Sequence, residues 1–351
     1  MTHQIELKRL SFLDRYLTLW IFLAMILGVI IGNIVPDMDQ KLDALSYGTT
    51  NIPLAIGLIL MMYPPLTKVQ FSKIPRIFSN PRLLIVSFFI TWIIGPFLMF
   101  LLSISFLSNY PEYLTGLIVI GLAPCIAMVI VWNELADGNR ELVAGLVGVN
   151  SLLQVFFFSS YAYFYLEIVL PLFGMKGLHL NVSMMEIAQT VGIYLGEPFL
   201  LAVSSRFMLI KQKGEAWFSQ RFIPVISPIT LISLLFTIVV MFSLKGEMMM
   251  TIPLDALNIA LPLVIYFAVM FVLMFLIARF MGASYADTAA LSFTASGNNF
   301  ELAIAVSIGV FGLHSGEAFA GVIGPLVEVP ALIILVKIAQ FWRKKWFTNL
   351  S

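Results

Sequence analysis

Charge is scarce in this sequence, and thiols are almost absent. Asp, Glu, Lys and Arg together make up 11% of its 351 residues, against roughly 25% in soluble domains. Hydrophobic residues reach 60% and the mean hydropathy is +0.98. A water-soluble fold of this length has no interior large enough to hide that apolar surface, so lipid must solvate part of it. The single cysteine, Cys125, excludes an intrachain disulfide and a multi-thiolate metal centre. The three histidines, His3, His179 and His314, fall at the start of the chain or between apolar runs, with no ligand spacing. A net charge of +1 gives nucleic acid no basic surface to bind. No glycine-rich phosphate loop ending in lysine is present, which argues against an ATPase in this chain. The apolar runs lack the Ser/His pair, Asp pair or metal motif of intramembrane proteolysis, and no aspartate-rich pair suggests prenyl transfer. The reading is therefore not an enzyme, and no cofactor is expected.

What the sequence does have is long apolar runs. A spanning helix needs about 20 mostly apolar residues. Ten candidates meet or approach that length: 16–35, 52–66, 83–107, 114–132, 142–170, 187–210, 222–244, 256–278, 288–313 and 318–340. The second is short and is expected to end at Pro64-Pro65. The polar stretch 1–9 has no small-residue cleavage site after it, so the first span is read as retained. The connections are short and carry no linker, which predicts a single transmembrane domain over 1–351. With ten spans both ends share one side of the membrane. Of the 20 Lys and Arg, all but Lys41, Lys176 and Lys245 fall on that side. Positive charge marks the cytoplasmic face, so both termini are expected in the cytoplasm of a cell membrane, plasma or inner.

Ten spans divide into two halves of five, 1–175 and 176–351. An odd-numbered unit must be inverted in its second copy, the arrangement of transporters that bind cargo at discontinuous helices near the midplane. The fourth spans of the two halves both break. One carries Gly121-Leu122-Ala123-Pro124-Cys125, the other Thr294-Ala295-Ser296-Gly297-Asn298-Asn299-Phe300-Glu301. Proline removes a backbone donor, and Ser and Asn compete for backbone partners. Open backbone at membrane depth is tolerated only where protein or a water-filled cavity receives it. The fold class predicted is thus an all-α integral membrane protein of ten helices in two inverted five-helix repeats, with broken helices 4 and 9 crossing.

Glu301 is the sharpest single signal, because a carboxylate at the bilayer centre costs at least about 2.5–3.5 kcal/mol. It is assigned a substrate-binding and proton-coupling role. Cys125, immediately after Pro124, offers a soft sulfur to a soft metalloid. Asn298 and Asn299 offer amides to a polar solute or to freed backbone, as do Asn150, Ser151 and Gln154 from one face of the fifth span. Ser296 lies in the second break. Glu197, before Pro198, and Glu328 lie within spans as candidate proton sites or partners. Trp132-Asn133-Glu134 reads as an interfacial belt leading into a loop, and Glu167 as close enough to the outer surface to be solvated. The 18 Met and 30 Phe read as lipid-facing and packing residues.

The run GLAPCIAMVIVWNELADGNRELVAGLVGVNSLLQVFFFSS at 121–160 and the run SFTASGNNFELAIAVSIGVFG at 292–312 resemble the arsenite efflux permeases of the arsenical-resistance-3 family, in the bile acid/sodium symporter-like superfamily. The similarity extends over nearly the whole chain. It implies a panel and a core domain, and export of trivalent arsenic coupled to proton entry. The family's fourth-span cysteine falls on Cys125, its ninth-span glutamate on Glu301, and the polar break beside it on Asn298 and Asn299. Many members carry arginine before the cysteine, where this chain has Pro124. The expected partners are arsenite, antimonite as a second cargo, protons and the lipid bilayer. The alternative kept open is a sodium-coupled carrier of an organic anion or bile acid-like solute.

Overall fold

A computed structural model describes residues 16–35, 38–47, 50–70, 74, 80–174, 183–243 and 252–347. His3 and His179 lie outside the described residues. Among the described residues twelve helices carry the architecture, beside a short helical segment at Met38–Asp43. They are α1 Leu17–Ile34, α2 Ile52–Thr67, α3 Pro81–Leu107, α4 Pro111–Gly121, α5 Met128–Leu135, α6 Arg140–Leu172, α7 Met184–Lys213, α8 Glu215–Ser243, α9 Ile252–Phe280, α10 Tyr285–Ser296, α11 Phe300–Phe311 and α12 Gly316–Trp346. A two-residue-per-strand hairpin, Ser46–Tyr47 against Thr50–Asn51, leads into α2. Among the described residues seven helices, α1, α3, α6, α7, α8, α9 and α12, are long and apolar enough to cross a membrane by length and composition, and α2 and α11 are shorter apolar helices.

The helix starts are written locally. Asn51, Asn80, Asn139, Ser183, Ser284, Asn299 and Ser315 each accept a hydrogen bond from a backbone N–H in the first turn of α2, α3, α6, α7, α10, α11 and α12. These caps satisfy donors that would otherwise be orphaned. Proline shapes the interiors. The segments Ile90–Ile94, Phe164–Val169, Gly192–Gly196 and Phe218–Phe222 are π-helical. Each ends two residues before a proline: Pro96, Pro171, Pro198 and Pro224. A proline ring clashes with the carbonyl four residues back and cannot bond to it. One wide turn moves that carbonyl aside while the helix continues. In α2 the expected end at Pro64-Pro65 does not occur. The helix runs through both to Thr67, because packing against α7 and α8 buries this stretch and the Thr67 hydroxyl donates to the Pro64 carbonyl at 2.7 Å.

The helices pack in two groups. In one, α8 lies along α1 and α2, and α7 lies along α2. In the other, α3, α4, α9, α10, α11 and α12 interlock, with α6 against α5 and α10. Close approach in the second group rests on small residues. A methyl on Gly324 of α12 would lie 1.9 Å from the Phe300 ring, so only glycine lets α11 seat there.

Candidate functional site

Between α4 and α5 the helix stops at residues 122–127, and between α10 and α11 it stops at 297–299. The two interruptions meet each other. Pro124 and Asn298 face one another as an isolated antiparallel bridge. The Cys125 N–H donates to the Gly297 carbonyl at 2.9 Å, and the Asn299 N–H donates to the Ala123 carbonyl at 2.9 Å. A strand-like contact thus takes up backbone groups that both helices release deep in an apolar interior.

Side chains satisfy the rest. Asn298 Nδ2 donates to the Ile120 carbonyl at 3.1 Å, at the end of α4. Gln154 of α6 donates through Nε2 to the Pro124 carbonyl at 2.7 Å, and its Oε1 accepts from Asn299 Nδ2 at 2.7 Å. Asn299 Oδ1 caps α11 through the Leu302 N–H at 3.1 Å. Three helices and both breaks are therefore tied by three amides. Asn298 Oδ1 has no protein partner.

Cys125 is buried in this contact, and its sulfur lies within electrostatic reach of Glu328 and then of Glu301. Glu328 projects from α12 between Pro325 and Pro330, is 3% exposed, and leaves Oε1 without a protein partner. A methyl on Gly297 would stand 2.9 Å from the Cys125 Cβ and 3.4 Å from Glu328 Oε1, so these three residues share one small volume. Glu301 is the second residue of α11, half-buried, with its carboxyl turned to the backbone N–H at that helix start. The site offers one thiol, two carboxyls and a free amide oxygen around a backbone gap.

The other expected residues sort by distance from this gap. Ser296 is buried at the end of α10, where its hydroxyl donates to the Phe293 carbonyl at 3.4 Å. Asn150 is buried one turn before Gln154; its Oδ1 accepts from Trp92 Nε1 at 3.0 Å and its Nδ2 has no protein partner. The Ser151 hydroxyl is spent on the Val147 carbonyl at 2.8 Å. Glu197 is exposed on α7 and takes no part in the bonds at the crossing. Glu167 is half-buried, with Oε1 enclosed and unpartnered. Trp132 and Asn133 are not an interfacial belt. Both are fully buried, because α6, α10 and α12 pack on the face of α5 that carries them. Among the described residues no group of three or more His, Cys, Asp or Glu is placed to hold a metal ion.

Sequence reasoning did not select Tyr266, which lies fully buried on α9 beside Asn298. Its only signal is a phenol in the middle of an apolar run. The pairing of Gln154 with Pro124 had a weak signal as well, an amide sharing a polar helix face with Asn150 and Ser151, and nothing local named its partner 30 residues away.

Comparison with known proteins gives the family. Residues 55–252 match the model of the Sodium Bile acid symporter family. The "Arsenical-resistance protein Acr3" of Corynebacterium glutamicum is 46% identical over 97% of this chain and 92% of its own length. The chain belongs to the Acr3 arsenical-resistance family, within the sodium/bile acid symporter family. A protein of the same printed name from Alkaliphilus metalliredigens is 33% identical over 99% of this chain and 97% of its own length. An uncharacterized transporter of Synechocystis is also 33% identical, over 95% of this chain and 90% of its own length. With its apolar helices, this family membership makes the chain a multi-pass membrane protein of a transporter family.

Proposed function

We propose that the chain expels arsenite from the cytoplasm by exchange for protons, with antimonite as a second cargo. The observation that carries this reading is the contact between the breaks, which sets the sulfur of Cys125 beside Glu328 and in reach of Glu301. Arsenite in neutral solution is mostly an uncharged trihydroxide. Its arsenic is soft enough to favour sulfur. Its hydroxyls can donate to the unpartnered acceptors Asn298 Oδ1 and Glu328 Oε1. A single thiol binds weakly enough to release its cargo, as a carrier must.

The architecture we assign is ten spans, with α4 plus α5 forming the fourth and α10 plus α11 the ninth, in two inverted halves, 1–175 and 176–351. Packing supports it. The contact of α8 with α1 has its counterpart in that of α7 with α2, and the contact of α4 with α12 has its counterpart in that of α10 with α6. We place both termini in the cytoplasm. Arg279, Arg343, Lys344 and Lys345 lie at the same end as the α5–α6 turn, where Arg343 Nη1 meets Asp137 Oδ2 at 2.9 Å. In this reading the group α1, α2, α7 and α8 rocks against the remainder, exposing the gap to each side in turn. Glu301 carries the proton, and cargo and proton exclude each other there. Export of cargo and entry of a proton are then successive half-cycles.

Everted membrane vesicles given labelled arsenite test this. Uptake driven by an imposed proton gradient is expected, with loss of gradient-driven uptake in Glu301→Gln and at least about a tenfold loss in Cys125→Ala if the sulfur contact is worth 1.4 kcal/mol or more. Uptake that requires sodium would instead point to a sodium-coupled carrier, and full activity in Cys125→Ala would count against a contact between the thiol and the metalloid. Gradient-driven uptake that persists in Glu301→Gln removes the coupling role.

A further inference from the structure

Gln154 has a place that no other side chain at the crossing shares. It belongs to neither break, yet its amide touches both. Nε2 donates to the carbonyl of Pro124, the residue before Cys125, and Oε1 accepts from Asn299, two residues before Glu301. The side chain is 0% exposed, so no water competes for either bond. The need for it is local. A helical Pro124 carbonyl would be taken by the N–H four residues on, and the break removes that partner. An orphaned carbonyl at membrane depth is costly. Asn299 is likewise committed, since its Oδ1 caps α11 and only its Nδ2 is free to face Gln154.

We propose that Gln154 is the positioning residue that holds the sulfur of Cys125 in register with the carboxyl of Glu301. This inference rests on the exporter reading above. Through its two bonds the start of α11 and the residue preceding the thiol share one anchor on α6. Without it the breaks keep their backbone bonds at Cys125 and Asn299, but Pro124 is free to swing and Asn299 loses its lateral partner. Cargo affinity and carboxyl access then come apart.

The chain has one cysteine, so a thiol reagent reports on Cys125 alone. The experiment compares wild type, Gln154→Leu and Gln154→Glu in vesicles. The readouts are the rate of Cys125 labelling by a small methanethiosulfonate, protection of that labelling by arsenite, and arsenite uptake against pH. Leucine fills the space with no polar atoms. It is expected to raise the labelling rate and the KM for arsenite each about tenfold, the scale of one buried hydrogen bond, and to lower the melting temperature, since the Pro124 carbonyl and Asn299 Nδ2 both lose their partner. Glutamate separates positioning from mere packing. As the neutral acid it donates to Pro124 and accepts from Asn299, as glutamine does; as the anion it repels the Pro124 carbonyl. Relative to wild type, Gln154→Glu uptake should therefore be near normal at low pH and fall as pH rises. Cys125, Glu301, Glu328, Tyr161 and Tyr266, the titratable groups around the crossing, are common to both proteins, so the difference between the two profiles belongs to position 154.

Wild-type vesicles that fail to move arsenite would sink the exporter reading but leave the labelling test intact. Wild-type vesicles that move arsenite, with Gln154→Leu and Gln154→Glu matching them in labelling, KM and pH profile, would overturn the positioning role. A Gln154→Leu protein that does not fold leaves the Gln154→Glu pH profile to decide: a profile parallel to wild type overturns the proposal.

Discussion

The two interruptions do the same job with different chemistry. The first spends a proline and extends over six residues, 122–127; the second spends a glycine and two asparagines over three, 297–299. Toward its partners the first break mainly accepts: its carbonyls at Ala123 and Pro124, and that of Ile120 just before it, receive hydrogen bonds, and Cys125 gives one back to Gly297. The second mainly donates, from Asn298 Nδ2 and from the backbone and side chain of Asn299. Proline removes a donor, so its break must be fed from elsewhere, and asparagine supplies two donors per amide. Complementary deficits, and not similar sequences, bring the helices together.

That contrast can be broken at four points. The largest effect is expected at Gly297, where any side chain meets the Cys125 Cβ and Glu328. Gly297→Val should abolish arsenite transport and cost about 1–3 kcal/mol from overpacking, measured by vesicle uptake and by thermal unfolding in detergent. Wild-type transport in that variant would mean that the breaks do not need this close approach. Asn298→Ala comes next, because it orphans the Ile120 carbonyl, at about 1–3 kcal/mol. Asn299→Asp keeps the cap on α11 but turns an oxygen in place of the donor toward Gln154 Oε1 at membrane depth, so it should lose about as much stability as Asn298→Ala; a loss near zero would mean that the bond to Gln154 carries little of the crossing. The smallest effect is expected from Pro124→Ala. The contacts at this position run through its carbonyl, which alanine keeps, so transport should stay within about threefold of wild type, a barrier change well under 1 kcal/mol. A large loss there would make the proline ring, and not the donor–acceptor complement, the cause of the break.

Much of this was legible in the sequence for a physical reason. Charge in an apolar run is expensive and proline in a helix is disruptive, so Glu301, Glu328 and Pro124 stand out without coordinates. Cys125 and Asn298 gained weight from standing beside such residues. What could not be read was register across the interface. Nothing local says that Pro124 faces Asn298, that Gln154 bridges both, or that Tyr266 lies beside them. The burial of Trp132 and Asn133 was misread because an aromatic followed by polar residues looks the same at a lipid headgroup and inside a bundle. The continuation of α2 through Pro64-Pro65 was misread because tertiary packing outweighed the local preference.

The bulge in α3 reaches further than its own helix. Pro96 cannot bond to the carbonyl of Trp92, and the Tyr161 hydroxyl of α6 donates to that carbonyl in its place. The indole of the same tryptophan donates to Asn150, one turn before Gln154. A helix breaker on one span thereby fastens it to its neighbour at two points, on the same helix that anchors the crossing. If the molecule rocks, α3 and α6 should travel as a single plate, and a spin-label pair placed across them should keep its spacing while pairs spanning the two helix groups change theirs.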